Sequence, residues 1–169
     1  MLLNTAVIGG ADGPSAVFLA GQLGLGWLNL FGLILVILLL IPNIVYALKH
    51  RDMENKCQNR FMNILEQIGR YSCMFLMVFN IGIAEFGFSS AGAFLVYLFG
   101  SIILMISYWI IWILYINKRT YGKQMALAII PTILFILCGI SMLHILLMIF
   151  GIIFGIAHIY VTSKNRADE

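Results

Sequence analysis

The run GWLNLFGLILVILLLIPNIVYAL, residues 26–48, decides the fold class, because it carries no charged side chain over the length of a membrane-spanning helix. A hydrocarbon core about 30 Å thick needs roughly 20 apolar residues in helical form. The rest of the chain has the same character, since 62% of its 169 residues are hydrophobic and only 10% are charged. Soluble domains carry about 25% charged residues. The composition therefore predicts a helical membrane protein.

Further apolar runs follow along the chain. Residues 71–88 and 91–117 each predict one span, and residues 125–161 predict two short spans that reverse near residues 139–144. Together these runs predict an all-α polytopic bundle of five transmembrane helices. We expect two parts: residues 1–25, a glycine-rich N-terminal segment that is broken or re-entrant, and residues 26–169, the five-helix transmembrane domain.

The longest polar stretch, residues 51–70, predicts an amphipathic connector between the first two spans. Its apolar side chains recur at spacings of three and four residues: Met53, Cys57, Phe61, Ile64, Leu65 and Ile68. Such a helix lies along the cytoplasmic membrane surface or docks beneath the bundle, with Lys56, Arg60 and Glu66 on its wetter side. A surface connector explains the pattern more simply than a partner-binding helix.

The basic residues predict the orientation. All ten Lys and Arg side chains fall within residues 49–70, 118–123 and 164–166, which alternating spans place on one side. Positively charged short loops stay on the cytoplasmic side. We therefore expect a multi-pass protein of the cell membrane with its C-terminus in the cytoplasm. The N-terminus lies outside, or inside if residues 2–24 cross. Topology and anionic lipids account for the net charge of +3, so no nucleic-acid partner is expected.

Aromatic side chains gather near the cytoplasmic end of the third span, where interfacial belts form. They are Tyr108, Trp109, Trp112 and Tyr115. We expect them to anchor in the headgroup zone rather than to form an aromatic ligand site.

A polar side chain inside a predicted span needs a partner or a cavity. Asn80 is predicted near the centre of the second span, Glu85 at its outer end and His158 near the inner end of the fifth. These three are secondary site candidates. Asn43 and Thr132 each follow a proline, and a helix-packing role explains them, since such residues can satisfy the carbonyl that proline leaves free.

No self-contained catalytic constellation is present in the sequence. There is no activated serine or cysteine arrangement and no HExxH-type metal motif. Cys57, Cys73 and Cys138 lack metal-ligand spacing, and we expect no disulfide, no catalytic residue and no bound organic cofactor.

Gly151 and Gly155 give the fifth span a small-residue face that allows close helix approach. Dimerisation, contact with another membrane protein and packing within one bundle all explain this face.

The N-terminal segment breaks its apolar run at Gly9, Gly10, Asp12, Gly13 and Pro14. Glycine allows backbone angles that side chains forbid, and interrupted helices in transporters coordinate cations with exposed carbonyls. Asp12 supplies an anionic oxygen. An ordinary turn is the alternative, because Asp-Gly-Pro is also a common turn sequence.

Residues 7–18, VIGGADGPSAVF, resemble the glycine-aspartate motif in the membrane β subunit of sodium-translocating, biotin-dependent decarboxylases. The resemblance covers about the first 24 residues. It implies a cation-binding role for Asp12, supported by Ser15 where the family usually has threonine, and by the carbonyls of Gly9, Gly10 and Gly13. The family's subunit couples release of carbon dioxide from carboxybiotin to sodium export. The remainder of the chain resembles small bacterial membrane proteins.

Two functions follow as expectations. The first is a sodium-binding or sodium-translocating membrane protein, at most the membrane subunit of a carboxybiotin decarboxylase complex, with a sodium ion at Asp12. The alternative is a non-catalytic membrane assembly or regulatory protein that transports no ion, in which Asp12 faces water.

If Asp12 binds sodium, purified protein in detergent should show saturable sodium-22 binding that potassium does not displace. The Asp12→Asn variant should lose this binding, because it removes the anionic ligand. Absence of saturable binding in the unsubstituted protein would contradict the sodium hypothesis.

Overall fold

The computed structural model of the protein describes residues 27–49, 56–81, 88 and 90–166. Five helices follow one another: α1 (Leu30–Lys49), α2 (Arg60–Val78), α3 (Ala91–Asn117), α4 (Tyr121–Ser141) and α5 (Ile145–Lys164). Extended pairing within these described ranges is limited to one isolated antiparallel bridge, Leu28 with Phe79. The predicted all-helical class is confirmed for this part of the chain.

Four of the described helices, α1, α3, α4 and α5, are long and apolar enough to cross a membrane. α2 is not among them, because it carries Arg60, Glu66 and Arg70 together with further polar side chains. By length and composition, therefore, the count of spanning helices is four rather than the predicted five.

The expected second span at residues 71–88 has the wrong bounds. α2 begins at Arg60, where the Asn59 side chain accepts a hydrogen bond from the Met62 amide. It ends at Val78, because Phe79 is extended and pairs with Leu28. Much of the predicted connector and of the predicted span thus forms one helix, whereas residues 56–59 are not helical. Residues 51–55 lie outside the described ranges.

The helices alternate in direction, which gives the bundle two distinct ends. The first, the basic end, holds Lys49, Arg60, Lys118 and Lys164. There Asn165 joins three segments: its side-chain oxygen accepts a hydrogen bond from the Lys56 amide at 2.6 Å, and its carbonyl accepts one from Gln124 at 2.6 Å.

The second, the bridge end, is closed by the short pairing between the start of α1 and the end of α2. The Asn29 amide donates to the Val78 carbonyl at 2.8 Å, and the Asn80 amide donates to the Trp27 carbonyl at 2.9 Å. The Asn29 side chain also accepts from the Gly32 amide and so caps α1. α2 therefore runs from the basic end to the bridge end.

α2 packs most extensively against α5. A Cβ atom added at Gly69 would lie only 2.9 Å from the Cα and Cβ of Phe154, so the two backbones approach as closely as glycine allows. The buried face of α2 is polar or small near this crossing, with Glu66, Gly69 and Cys73.

The outward face of α2 is apolar. Five large side chains form this stripe: Phe61, Ile64, Ile68, Tyr71 and Phe75. Other helices show the same arrangement, since Ile103 on α3 and Ile156 on α5 are 63% and 61% exposed. The bundle thus presents large apolar side chains to its surroundings.

The small-residue face of α5 packs within the chain. A Cβ at Gly151 would lie 3.2 Å from Ile136, and one at Gly155 would overlap the methyl group of Thr132. Both neighbours are on α4, so the described contacts of this face are intramolecular.

Two helices contain proline. In α1 the carbonyl that proline leaves without its helical donor accepts a hydrogen bond from a different residue than expected. In α1, Pro42 cannot donate to the Leu38 carbonyl, and the Trp109 indole of α3 donates to it at 3.2 Å. Asn43 instead donates to the Leu39 carbonyl and to the Tyr108 hydroxyl, both at 2.8 Å. In α4, Thr132 donates to the Ala128 carbonyl at 3.0 Å.

We expect Gly69→Ala to destabilise the protein by about 1–3 kcal/mol, because the added methyl group overpacks the contact with Phe154. Gly122→Ala is the matched control, since nothing lies within 4 Å of a Cβ at that helical position. Thermal unfolding in detergent should show a lower midpoint for the first variant only. Equal midpoints would contradict the close approach of α2 and α5.

Candidate functional site

A buried carboxylate joins α2 to α5. Glu66 is 8% exposed, and its Oε1 lies 2.8 Å from Nδ1 of His158. With the carboxyl group ionised, Nδ1 carries the proton and donates it to this hydrogen bond. The guanidinium of Arg70 donates to the same oxygen. One carboxylate oxygen therefore receives two donors from two helices.

Local sequence explains this arrangement. Glu66 and Arg70 are four residues apart and so share one face of α2. Gly69, between them, lets α5 come close. On α5 the ring of His158 stacks on Phe154, with centroids 4.7 Å apart and 18° between the planes. This stacking holds the imidazole ring in the orientation in which it contacts α2.

This pair forms part of the wall of a cavity of about 330 Å³ near the basic end. All five helices contribute lining residues: Asn43 and Tyr46 from α1, Glu66 from α2, Trp112 and Tyr115 from α3, Gln124, Leu127 and Ala128 from α4, and His158, Val161 and Thr162 from α5, with Asn165 beyond it. The cavity is therefore a feature of the complete bundle.

The surroundings of the cavity are basic. Within the described ranges Glu66 is the only acidic side chain, and the other formally charged side chains are Lys or Arg. Arg119 lies over the ring of Tyr46, 5.6 Å from its centroid, and Tyr46 lines the cavity. Among the described residues, therefore, the one carboxylate is already paired and the remaining formal charges are positive.

The predicted aromatic belt is largely a buried cluster. Tyr108, Trp112 and Tyr115 are all less than 9% exposed, and the Trp112 ring lies 5.0 Å from Tyr46 and 5.8 Å from Tyr115. Their polar atoms face the interior of the bundle, where the Tyr108 hydroxyl accepts a hydrogen bond from Asn43. The Trp112 ring also packs edge-to-face on the Tyr108 ring, with the centroids 6.3 Å apart.

This geometry can hold Glu66 in a partly buried ion pair with Arg70, exchange a proton between imidazole and carboxylate, and offer hydrogen bonds to a small molecule. The described residues contain no group of three His, Cys, Asp or Glu side chains placed to bind a metal ion.

A larger opening, of about 620 Å³, lies on the outer surface between α2, α4 and α5. It is an apolar groove lined mainly by isoleucines, with Met62, Thr132 and Gly155. No charged side chain lines it. We therefore take the smaller, polar cavity as the candidate site.

A second group of polar side chains is buried at the bridge end. The Ser101 hydroxyl and the Cys138 thiol lie 3.8 Å apart, and Tyr97 is 2% exposed. His144, in the turn between α4 and α5, is 1% exposed and accepts a hydrogen bond at Nδ1 from the Leu147 amide, which caps α5. Burial lowers the pKa of His144, although a main-chain hydrogen bond opposes this shift.

The structure places two of the site residues predicted from the sequence, and the others lie outside the described ranges. His158 lies in the cavity wall. Asn80 lies two residues beyond the end of α2, not at the centre of a span, because the helix stops at Val78. Two sets fall outside the described residues: Glu85, and the proposed ion ligands Gly9, Gly10, Asp12, Gly13 and Ser15.

Sequence reasoning missed the role of Glu66, which it assigned to the wet side of a surface helix. A signal was present: Glu66, Gly69 and Cys73 recur at helical spacing and form a narrow stripe of polar and small residues. Opposite them lies the apolar stripe, which faces outward in the structure.

Comparison of the chain with protein-family models, curated proteins and solved structures gives no match.

We expect the protein to lose stability as the pH falls through about 6.5, because the folded state favours neutral His144 while the unfolded chain takes up the proton. A protonated Nδ1 also cannot accept from the Leu147 amide. His144→Asn keeps a capping acceptor without a titrating group. Its unfolding midpoint in detergent should fall less than that of the unsubstituted protein between pH 7.5 and 5.5. Equal falls would contradict this role.

Proposed function

We propose that this chain is an integral membrane protein in which all five described helices cross the bilayer. The four apolar helices support this assignment, and so do the large apolar side chains that face outward on every side. In water such a surface would be an aggregation hazard. In a membrane the same surface would face the lipid chains.

The inclusion of α2 follows from the alternation of the helices. α1 ends and α2 begins at the basic end, whereas α2 ends and α3 begins away from it. At about 1.5 Å per residue the 19 residues of α2 span about 28 Å, close to the hydrocarbon thickness. Its one carboxylate, Glu66, faces the bundle interior and its apolar stripe faces outward, which is how ionisable residues are tolerated in membranes.

The basic end faces the cytoplasm in this proposal, because Lys and Arg in short loops are retained there. The protein is then a multi-pass component of the cell membrane with a cytoplasmic C-terminus. The polar cavity opens toward the cytoplasm.

The function that the geometry supports best is binding of a small ion or solute from the cytoplasm in this cavity. One observation carries the proposal: a buried Glu66, held by His158 and Arg70, lines a polar cavity inside an otherwise apolar bundle. Charge at membrane depth is costly, and where it occurs it marks ion or substrate sites.

Coupling to sodium is a second candidate, favoured by the Gly9–Pro14 motif and the resemblance it carries. In this proposal Asp12, with Ser15 and neighbouring carbonyls, holds the ion as part of a sodium-linked system related to the decarboxylase β subunit. The competing role, a non-catalytic assembly or regulatory protein, predicts an unoccupied cavity and a stable membrane-protein partner or a homo-oligomer.

Thiol labelling tests the membrane placement and the access to the cavity together. A cysteine at Thr162, which lines the cavity and is 8% exposed, should react with a charged, membrane-impermeant thiol reagent in inside-out vesicles. A cysteine at Ile152 should not react, although this side chain is 50% exposed, because lipid covers it. The protein without either substitution reports reaction of the native cysteines.

Reaction of Ile152→Cys at a rate equal to that of Thr162→Cys would contradict burial in lipid. Reaction of Thr162→Cys from the opposite side only would contradict the cytoplasmic opening.

A further inference from the structure

We infer that the apolar groove between α2, α4 and α5 binds one anionic phospholipid of the cytoplasmic leaflet. An acyl chain lies in the groove, and the headgroup lies beside Lys164. This inference rests on the membrane placement in the proposed function, and it adds a ligand and a site that are separate from the polar cavity. The length of the groove, its walls and the charge at its mouth support it.

The groove has the depth of one membrane leaflet. On α5 its lining begins at Ile152 and reaches Ser163, one residue before the helix ends at Lys164. At about 1.5 Å per residue this stretch covers about 16 Å along the helix axis. Half of a hydrocarbon core is about 15 Å thick. The groove therefore follows the path that an acyl chain takes from the middle of the bilayer to the basic end.

The walls of the groove suit a hydrocarbon chain. Isoleucines are the most frequent of its lining residues, and its volume of about 620 Å³ is within the range for small-molecule sites. Gly155 belongs to the lining, and a Cβ at this position would overlap the methyl group of Thr132. A chain in this groove contacts side chains of three helices, so it gains more dispersion energy than a lipid on a convex face.

The mouth of the groove is polar and basic. Tyr160 and Ser163 line the groove near the basic end, and the exposed Lys164 ammonium lies over the Tyr160 ring, 5.6 Å from its centroid. Arg60 begins α2 at the same end. Glu66 is the only acidic side chain among the described residues, and it lines the polar cavity instead. Within this part of the chain, therefore, no carboxylate competes with a lipid for these cations.

The charge of the mouth selects the headgroup. Basic pockets between transmembrane helices on the cytoplasmic side bind anionic headgroups, and one Lys or Arg near the membrane surface favours an anionic lipid about fivefold. Phosphatidylcholine carries the same phosphate, but its own choline cation cancels the charge. The mouth should therefore prefer phosphatidylglycerol to phosphatidylcholine when the acyl chains are identical.

Native mass spectrometry of the full chain, titrated with lipid in detergent, tests this site. The probes are palmitoyl-oleoyl phosphatidylglycerol, which is anionic, and palmitoyl-oleoyl phosphatidylcholine, which is zwitterionic. We expect one phosphatidylglycerol molecule to be retained, with an apparent Kd at least about fivefold lower than that of phosphatidylcholine.

Filling the groove tests where the chain lies. Ile156 lines the groove and is 61% exposed, so Ile156→Trp should weaken retention of both lipids at least about tenfold, because the indole takes the place of the acyl chain. Ile103→Trp is the matched control, since Ile103 on α3 is 63% exposed and does not line the groove. Its lipid retention should be unchanged. Ile152→Trp fills the deeper part of the same groove and replaces the first variant if that variant fails to fold.

Removing a cation tests where the headgroup lies. Lys164→Gln should weaken phosphatidylglycerol retention about fivefold and leave phosphatidylcholine retention unchanged. Lys118→Gln is the matched control, because Lys118 is also exposed at the basic end but follows α3, which contributes no residue to the groove. An equal effect of the two substitutions would contradict the position of the headgroup.

Equal retention of the two lipids, or lipid retention by Ile156→Trp as tight as by Ile103→Trp, would overturn the assignment. A protein dimer that Ile156→Trp dissociates, with no lipid retained, would assign the groove to a second copy of the chain and would also overturn it. If no lipid is retained while Ile152→Cys resists the impermeant thiol reagent, the lipid site fails and the membrane placement stands. If Ile152→Cys reacts as fast as Thr162→Cys, the proposed membrane placement itself fails.

Discussion

The burial of one carboxylate constrains the rest of this structure. A lone ionised group in an apolar bundle is too costly to remain unpaired, and removing one partner of such a buried pair costs about 3–5 kcal/mol. Glu66 therefore has to meet its hydrogen-bond partners inside the bundle, Arg70 from its own helix and His158 from another. That requirement sets the rotation of α2, presses Gly69 against Phe154 and directs the apolar stripe of α2 outward.

Much of the fold was accessible from the sequence, because hydrocarbon thickness imposes a simple length rule. The predicted third span matches α3 at both ends, and the predicted reversal at residues 139–144 contains the turn before α5. The bounds and orientation of α2 were not predicted, because its apolar residues are spaced as in an amphipathic helix. In a soluble protein the apolar stripe would be the buried face, and the prediction placed it against the membrane surface or the bundle. In the structure the stripe faces outward, and the buried side of the helix carries Glu66, Gly69 and Cys73.

The site was less predictable, since it depends on contacts that no local pattern reveals. Glu66 and His158 are 92 positions apart in the chain, and only the crossing of α2 and α5 brings them together. The same limit applies at Pro42, where the neighbouring Asn43 was expected to satisfy the freed carbonyl. The group that reaches it is Trp109, which is 71 positions away from Leu38. Tyr108, Trp112 and Tyr115 were expected to anchor in the headgroup zone, because composition does not tell which side of a helix faces inward.

The order in which the chain is synthesised gives the pairing of α2 with α5 a consequence for biogenesis. Acidic and basic side chains near the centre of a helix each oppose membrane insertion by about 2.5–3.5 kcal/mol. α2 carries Glu66 and Arg70, and the helix that covers them is the last of the five to leave the ribosome. α2 is consequently a poor insertion signal by itself. In the arrangement proposed above, in which α2 crosses the bilayer, stable insertion of α2 therefore follows the synthesis of α5, which carries His158.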